Sequence, residues 1–98
     1  MKYFVVEGTI IDPKKINDEI MKKHIEYTQK AMDSGVILTS GLKEDMSGGL
    51  FIIKSESIEE VENYLNNEPF NLNKIQTYRI IEFNSHFVHK SSKEWFGK

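Results

Sequence analysis

A chain of 98 residues sets 13 Lys and Arg against 15 Asp and Glu, for a net charge of −2, with 39% hydrophobic residues and no cysteine. That length makes one domain of soluble globular composition, and the charge excludes the basic face a nucleic-acid binder needs. Without cysteine there are no disulfides, thiolate metal sites or cysteine nucleophiles, and no run of about 18 apolar residues exists to cross a membrane.

Met1 to Ile10 contains Glu7 and leads into Asp12-Pro13. It lacks the basic start and apolar stretch of a signal peptide, so a cytoplasmic protein is expected. Lys2 to Ile10 is rich in β-branched and aromatic residues and predicts a strand. From about Lys15 to Ser34 the period becomes helical. With Ile16 placed at zero, Ile20, Met21, Ile25, Tyr27, Ala31 and Met32 fall within an arc of about 180°, and the charged residues fall opposite. Asn17 lies in the frayed first turn. Gly35 ends the helix as a left-handed cap.

Val36 to Leu42 predicts a second strand, and Lys43 to Gly49 carries the Glu-Asp and Ser-Gly-Gly chemistry of a hairpin. Leu50 to Lys54 is a continuous apolar run, the mark of a central strand. Ser57 and Glu60 form a capping box for a second helix that runs to about Asn67, with Ile58, Val61, Tyr64 and Leu65 on its apolar face. Glu68-Pro69-Phe70 stops that helix, and Asn71 to Lys74 reads as a loop. Gln76 to Phe83 predicts the last strand, and residues 85–98 form a C-terminal tail.

The order β-α-β-β-α-β gives a ferredoxin-like α+β sandwich, a four-stranded antiparallel sheet with two helices on one face. Its strands carry apolar residues on both faces: Phe4 and Val6 against Tyr3 and Val5, and Ile81 and Phe83 against Tyr78 and Ile80. A solvated face would alternate polar. The second face is therefore expected to be covered by another subunit, giving a homodimeric α+β barrel. The aromatic tail, with Trp95 and Phe96, is expected to dock at or near that interface.

His24 is the most informative position. It falls at about 80° on the wheel, in the middle of the apolar arc, with Thr28 one turn on at about 120°. The wheel alone leaves a hydrogen-bonded core histidine open. Paired with a carboxylate, the imidazole becomes a general base or acid near neutral pH. Glu68 is the candidate partner. Read as the end of the second helix, it is opposed by the helix dipole, so something other than helix stability placed it there. A solvated glutamate in a turn is the alternative. Thr39 and Ser40 precede Gly41, whose missing side chain permits close backbone approach, but no nucleophile elbow surrounds them. Gly48-Gly49 lacks the Lys-Ser/Thr of a phosphate loop. His86 and His89 have no third ligand nearby in sequence, so no metal is expected.

The opening aromatic strand Tyr3 to Val6, His24 followed by Tyr27 and Gly35, the strand Val36 to Leu42, and the short second helix ending in Glu68-Pro69-Phe70 resemble the YciI-like (YCII-related) family of dimeric α+β barrel proteins. The resemblance covers residues 1–84. It implies that His24 and Glu68 take the roles of the family's catalytic or ligand-binding dyad, with Thr28, Ser40, Gly41 and Phe70 as ligand-binding residues. The family acid is usually aspartate, one methylene shorter than Glu68. A basic residue commonly precedes the family histidine by a turn, where this chain has Met21. The implied activity is a cofactor-independent proton transfer on a small molecule, as in a lyase or isomerase, similar to dehydrochlorinase- and muconolactone isomerase-like relatives of this barrel. The alternative is a non-catalytic small-ligand-binding or accessory dimer. A monooxygenase-like barrel shares the architecture but lacks supporting residues.

Overall fold

Strand β1 spans Lys2–Ile10 and buries alternate residues: Phe4, Val6 and Gly8 face inward, while Tyr3, Val5 and Glu7 face the other side. The computed structural model describes Met1–Lys98. Helix α1 (Asp18–Asp33), strand β2 (Ile37–Leu42), strand β3 (Gly49–Ser55), helix α2 (Ile58–Asn66), short helix α3 (Pro69–Leu72) and strand β4 (Gln76–Phe83) follow. A single turn, α4 (Ser92–Trp95), lies in the tail. The sheet is antiparallel throughout, in the order β2-β3-β1-β4, so β1 and β3 are central. This is the ferredoxin-like α+β arrangement that the element order predicts.

Several boundaries differ from expectation for definable reasons. Helix α1 begins at Asp18 rather than near Lys15, because Asn17 is its N-cap: the Asn17 side chain accepts from the Ile20 N–H at 2.8 Å. Pro13–Lys15 forms a separate 3-10 turn. At α2 the Ser57 hydroxyl accepts from the Glu60 N–H at 3.2 Å, as a capping box requires. The Glu60 carboxylate, however, takes the Ser55 hydroxyl at 2.6 Å instead of returning to Ser57. Asn71 and Leu72, expected in a loop, instead complete a short helix that opens at Pro69, whose pre-set φ suits a first turn. Gly35 has φ +84°, the left-handed cap expected of it.

The core is Phe4, Val6, Ile37, Ile53, Val61 and Leu65, with Ala31 from α1. Only 13 of the 98 residues are buried, so the core is as thin as the chain length suggests. Helix α1 explains part of this. Ala31 is its one buried residue, and Met21, Ile25 and Met32 of its apolar arc line a cavity.

The opposite sheet face carries no helix. Strand pairing puts Tyr3 beside Lys54 and Phe83, and Val5 beside Ile52 and Ile81, on this face. Leu50 and Ile81 are each 40% exposed and Phe83 37%. Glu7 stands at the edge of this apolar strip, paired with Lys43 at 3.2 Å and opposite Arg79 in the ladder. The tail after Phe83 leaves Phe87 and Trp95 exposed, and Trp95 packs edge-on against Phe96.

Candidate active site

The space under α1 is a cavity of about 460 Å³. Helix α1 supplies His24 and Thr28 from its inward arc. Edge strand β2 supplies Ser40 and Gly41, and the α2–α3 junction supplies Glu68 and Phe70. All six residues singled out from the sequence therefore line one cavity. Gly41 has no protein atom within 4 Å of where a Cβ would stand. The close backbone approach expected there occurs at Gly8 and Gly48 instead.

His24 is held on two sides. Its ring stacks on Phe70, with centroids 3.9 Å apart and planes within 10°. Its Nδ1 is hydrogen-bonded to the Glu68 carboxylate. The other ring nitrogen, Nε2, has no hydrogen-bond partner in the protein, and the side chain is 27% exposed, so it remains accessible.

Glu68 is only 3% exposed. It comes directly after Asn67, the C-cap of α2, where the sequence reading placed it, and it also serves the element that follows. It is the N-cap of α3, where its Oε2 accepts from the Phe70 N–H at 3.0 Å. The carboxylate is held there by a backbone N–H that α3 would otherwise leave unpaired. Glu68-Pro69-Phe70 is thus one structural unit. Its acid binds the imidazole edge, its proline fixes the turn, and its aromatic ring supports the imidazole face.

The sequence reading missed two members of the site. Tyr78 donates its hydroxyl hydrogen to Glu68 Oε2. Gln76, 3% exposed, donates from Nε2 to the Tyr78 oxygen at 3.0 Å and accepts the Gly49 N–H at 2.9 Å. The period-2 alternation of β4 puts Gln76 and Tyr78 on one face, a signal present in the sequence. Burial, then the hydrogen bond to the Glu68 carboxylate and its charge, push the Tyr78 hydroxyl well above its ordinary range. Tyr78 thus stays a donor.

Tyr27 and Tyr64 complete the wall between the two helices. Their rings stack at 4.7 Å, and the Tyr27 hydroxyl donates to the Tyr64 carbonyl at 2.6 Å. Burial raises both hydroxyls. The Glu68 charge adds to the shift at Tyr27, and Tyr27 and then Glu68 add to it at Tyr64. No Lys or Arg lines the cavity, and more than half of its lining residues are hydrophobic.

A family model described as the YCII-related domain matches residues 1–84. No curated protein sequence is significantly similar to the chain. Among solved structures, the fold is similar to that of 5-chloro-2-hydroxyhydroquinone dehydrochlorinase from Burkholderia phenoliruptrix AC1100, in complex with 2,5-dihydroxybenzoquinone. That match has a TM-score of 0.71 at 17% identity and covers 84% of this chain and 93% of the other. It is similar also to muconolactone isomerase, with a TM-score of 0.72 at 14% identity, covering 91% and 97%. An antibiotic biosynthesis monooxygenase matches with a TM-score of 0.53 at 15% identity, covering 84% and 96%. At these identities the likeness shows the shared fold alone. No helix is long and apolar enough to cross a membrane.

Proposed function

Because the chain belongs to the YCII-related family, we propose that it is a homodimeric small-molecule enzyme of the lyase or isomerase type, with His24 as its acid/base and Glu68 as the partner that orients and neutralises it. The observation that carries this reading is the pairing itself: an imidazole bonded through Nδ1 to a buried carboxylate, with Nε2 unpaired beside a cavity. In that arrangement Nε2 takes a proton from an acidic C–H or O–H of the ligand, and the imidazolium that forms is offset by Glu68. Returning the proton to a different atom completes an isomerisation. Loss of a leaving group from the resulting anion, with the proton passed on to solvent, completes an elimination.

The lining supports an uncharged substrate. Glu68 is the one formal charge fixed beside the ligand space, and no cation faces it. A carboxylate or phosphate on the substrate would be desolvated next to a like charge. The volume suits a single substituted ring.

The bare apolar strip of the sheet supports the dimer. It is continuous across β3, β1 and β4 and rimmed by Glu7, Lys43 and Arg79. A second copy of the chain offers the same strip, and the two faces pack as sheets do, about 10 Å apart. The tail at residues 85–98 docks at or beside this interface, where its exposed aromatics find a partner surface.

Solvent-deuterium incorporation tests the chemistry. 5-Chloro-2-hydroxyhydroquinone, the substrate named for a protein of similar fold, is incubated with the protein in deuterated buffer and followed by proton NMR. Exchange or turnover that vanishes in His24→Gln supports the base. Equal rates in the variant overturn it. The apolar lining favours a second reading, a non-catalytic carrier of small ligands. Saturable binding of 5-chloro-2-hydroxyhydroquinone at His24 with no exchange or turnover would select that reading.

A further inference from the structure

Gln76 is a buried amide at the first residue of a strand, where a β-propensity argument would place an apolar side chain. Two glycines make room for it. A Cβ on Gly8 would lie 2.2 Å from Gln76 Oε1, and a Cβ on Gly48 would lie 3.0 Å from the same atom and 2.1 Å from the Gly8 carbonyl oxygen. Strand β1, the turn that leads into β3 and strand β4 therefore meet around one polar side chain.

The hydrogen bonds that Gln76 makes can run in one direction only. The Gly49 backbone N–H is a donor and nothing else, so the atom of Gln76 facing it is the carbonyl Oε1. The amide nitrogen must then face Tyr78 and donate to its oxygen. With one lone pair of that oxygen taken, the Tyr78 hydrogen is free to go to Glu68 Oε2. Oε2 also receives the Phe70 N–H. Two donors on Oε2 leave Oε1 as the oxygen that meets His24, and an ionised Glu68 accepts a hydrogen bond there. Nδ1 must then carry the hydrogen, and in a neutral imidazole Nε2 is left bare.

We propose that Gln76 and Tyr78 are positioning residues, a one-way relay seated in the slot left by Gly8 and Gly48 that carries the polarity of the Gly49 backbone amide through Glu68 to set the tautomer of His24. Neither residue touches the ligand-bearing nitrogen. Together they determine that the cavity meets a proton acceptor rather than a donor, so the site begins its cycle by taking a proton. The ligand class that follows is a neutral carbon or oxygen acid. An electrophile that must first receive a proton does not fit.

The inference rests on His24 as the base, but it is measured without substrate. Two-bond nitrogen–proton correlation spectra of the imidazole ring, at a pH where it is neutral, report which nitrogen is protonated. The wild-type protein is expected to show the Nδ1–H form. Glu68→Gln is expected to reverse it. The amide oxygen stays with the Tyr78 and Phe70 donors, the amide nitrogen faces His24, and Nε2 becomes the protonated atom. Tyr78→Phe removes one oxygen from the relay and keeps the ring. The excess of the Nδ1–H form should fall by about tenfold, the factor that one hydrogen bond to a charged group carries. Gln76→Met, which keeps the side-chain length, should act in the same direction and covers the case in which Tyr78→Phe does not fold.

A wild-type Nδ1–H form that neither Tyr78→Phe nor Gln76→Met disturbs overturns the relay while leaving His24 as a base. A wild-type Nε2–H form overturns both.

Discussion

Gly8→Ala is the sharpest perturbation of the polar slot, because every close neighbour of the new methyl belongs to one side chain. The Cβ would stand 2.2 Å from Gln76 Oε1, 2.6 Å from Cδ and 3.1 Å from Cγ. Contacts that short cannot be absorbed by small shifts, so the amide must leave its slot. It then loses its bonds to the Gly49 N–H and the Tyr78 hydroxyl. Each hydrogen bond contributes about 0.5–1.5 kcal/mol net, and a backbone N–H left unpaired costs about 1–3 kcal/mol more. Replacing glycine returns about 0.4–1 kcal/mol by stiffening the unfolded chain. The expected destabilisation is about 1–5.5 kcal/mol. Gly41→Ala is the matched control, since nothing lies within 4 Å of its Cβ, and it should stay within about 0.5 kcal/mol of wild type. Urea unfolding of both variants, repeated in a Gln76→Ala background, gives a double-mutant cycle. If the steric account is right, Gly8→Ala is far milder once Gln76 is truncated. An equal cost in both backgrounds would refute it.

Ile81→Lys places a charge in the middle of the bare apolar strip and should convert a dimer to a monomer in sedimentation, with helix content unchanged. A wild-type protein that sediments as a monomer at micromolar concentration would remove the basis for this. Trp95, the sole tryptophan, should shift its emission to the red in that same variant if the tail docks at the interface; an unchanged spectrum would place the tail elsewhere. Glu68→Asp keeps the cap on α3 but shortens the reach to His24, so it should leave stability within about 1 kcal/mol and lower any His24-dependent turnover more than tenfold. Comparing melting curves with initial rates separates the two effects. Tyr27, Tyr64 and Tyr78 are all raised above their ordinary 10.0. Their contribution to stability is therefore complete below about pH 10 and is lost as the pH climbs beyond it, because the unfolded chain releases those protons first. Tyrosinate absorbance at these three positions should appear together with unfolding; earlier titration in a folded protein would contradict their burial.

The helical wheel was enough to aim His24 and Thr28 inward, because one face of α1 is apolar and both residues sit within it. The strands were legible for the same reason, with β1 ending where Asp12-Pro13 interrupts the pattern. Glu68 was legible as a position but not as a cap. The dipole argument assigned it to the helix behind it, whereas a glutamate followed by proline opens the helix in front. Gln76 and Tyr78 were harder to see. Their importance depends on a contact between β4 and the α2–α3 junction that no local pattern encodes, and on two glycines, one in β1 and one just before β3, whose shared purpose appears only when the sheet is assembled. The apolar strip on the back of the sheet was readable from alternation, since Tyr3, Val5, Ile81 and Phe83 stand where a wetted surface would carry polar residues.

The slot around Gln76 also bears on how the molecule breathes. Gly49 is the first residue of β3 and follows a turn, a place where amide hydrogens ordinarily trade with solvent quickly. Its hydrogen is instead bonded to a side chain that must also let go of Tyr78 before it can move, and Tyr78 is itself held by Glu68. Exchange at this one amide should therefore be slow, and should report the opening of the whole run of groups from the hairpin to the imidazole. A single resonance at the edge of the sheet then serves as a clock for the cavity some distance away, and a ligand that tightens Glu68 should slow it further.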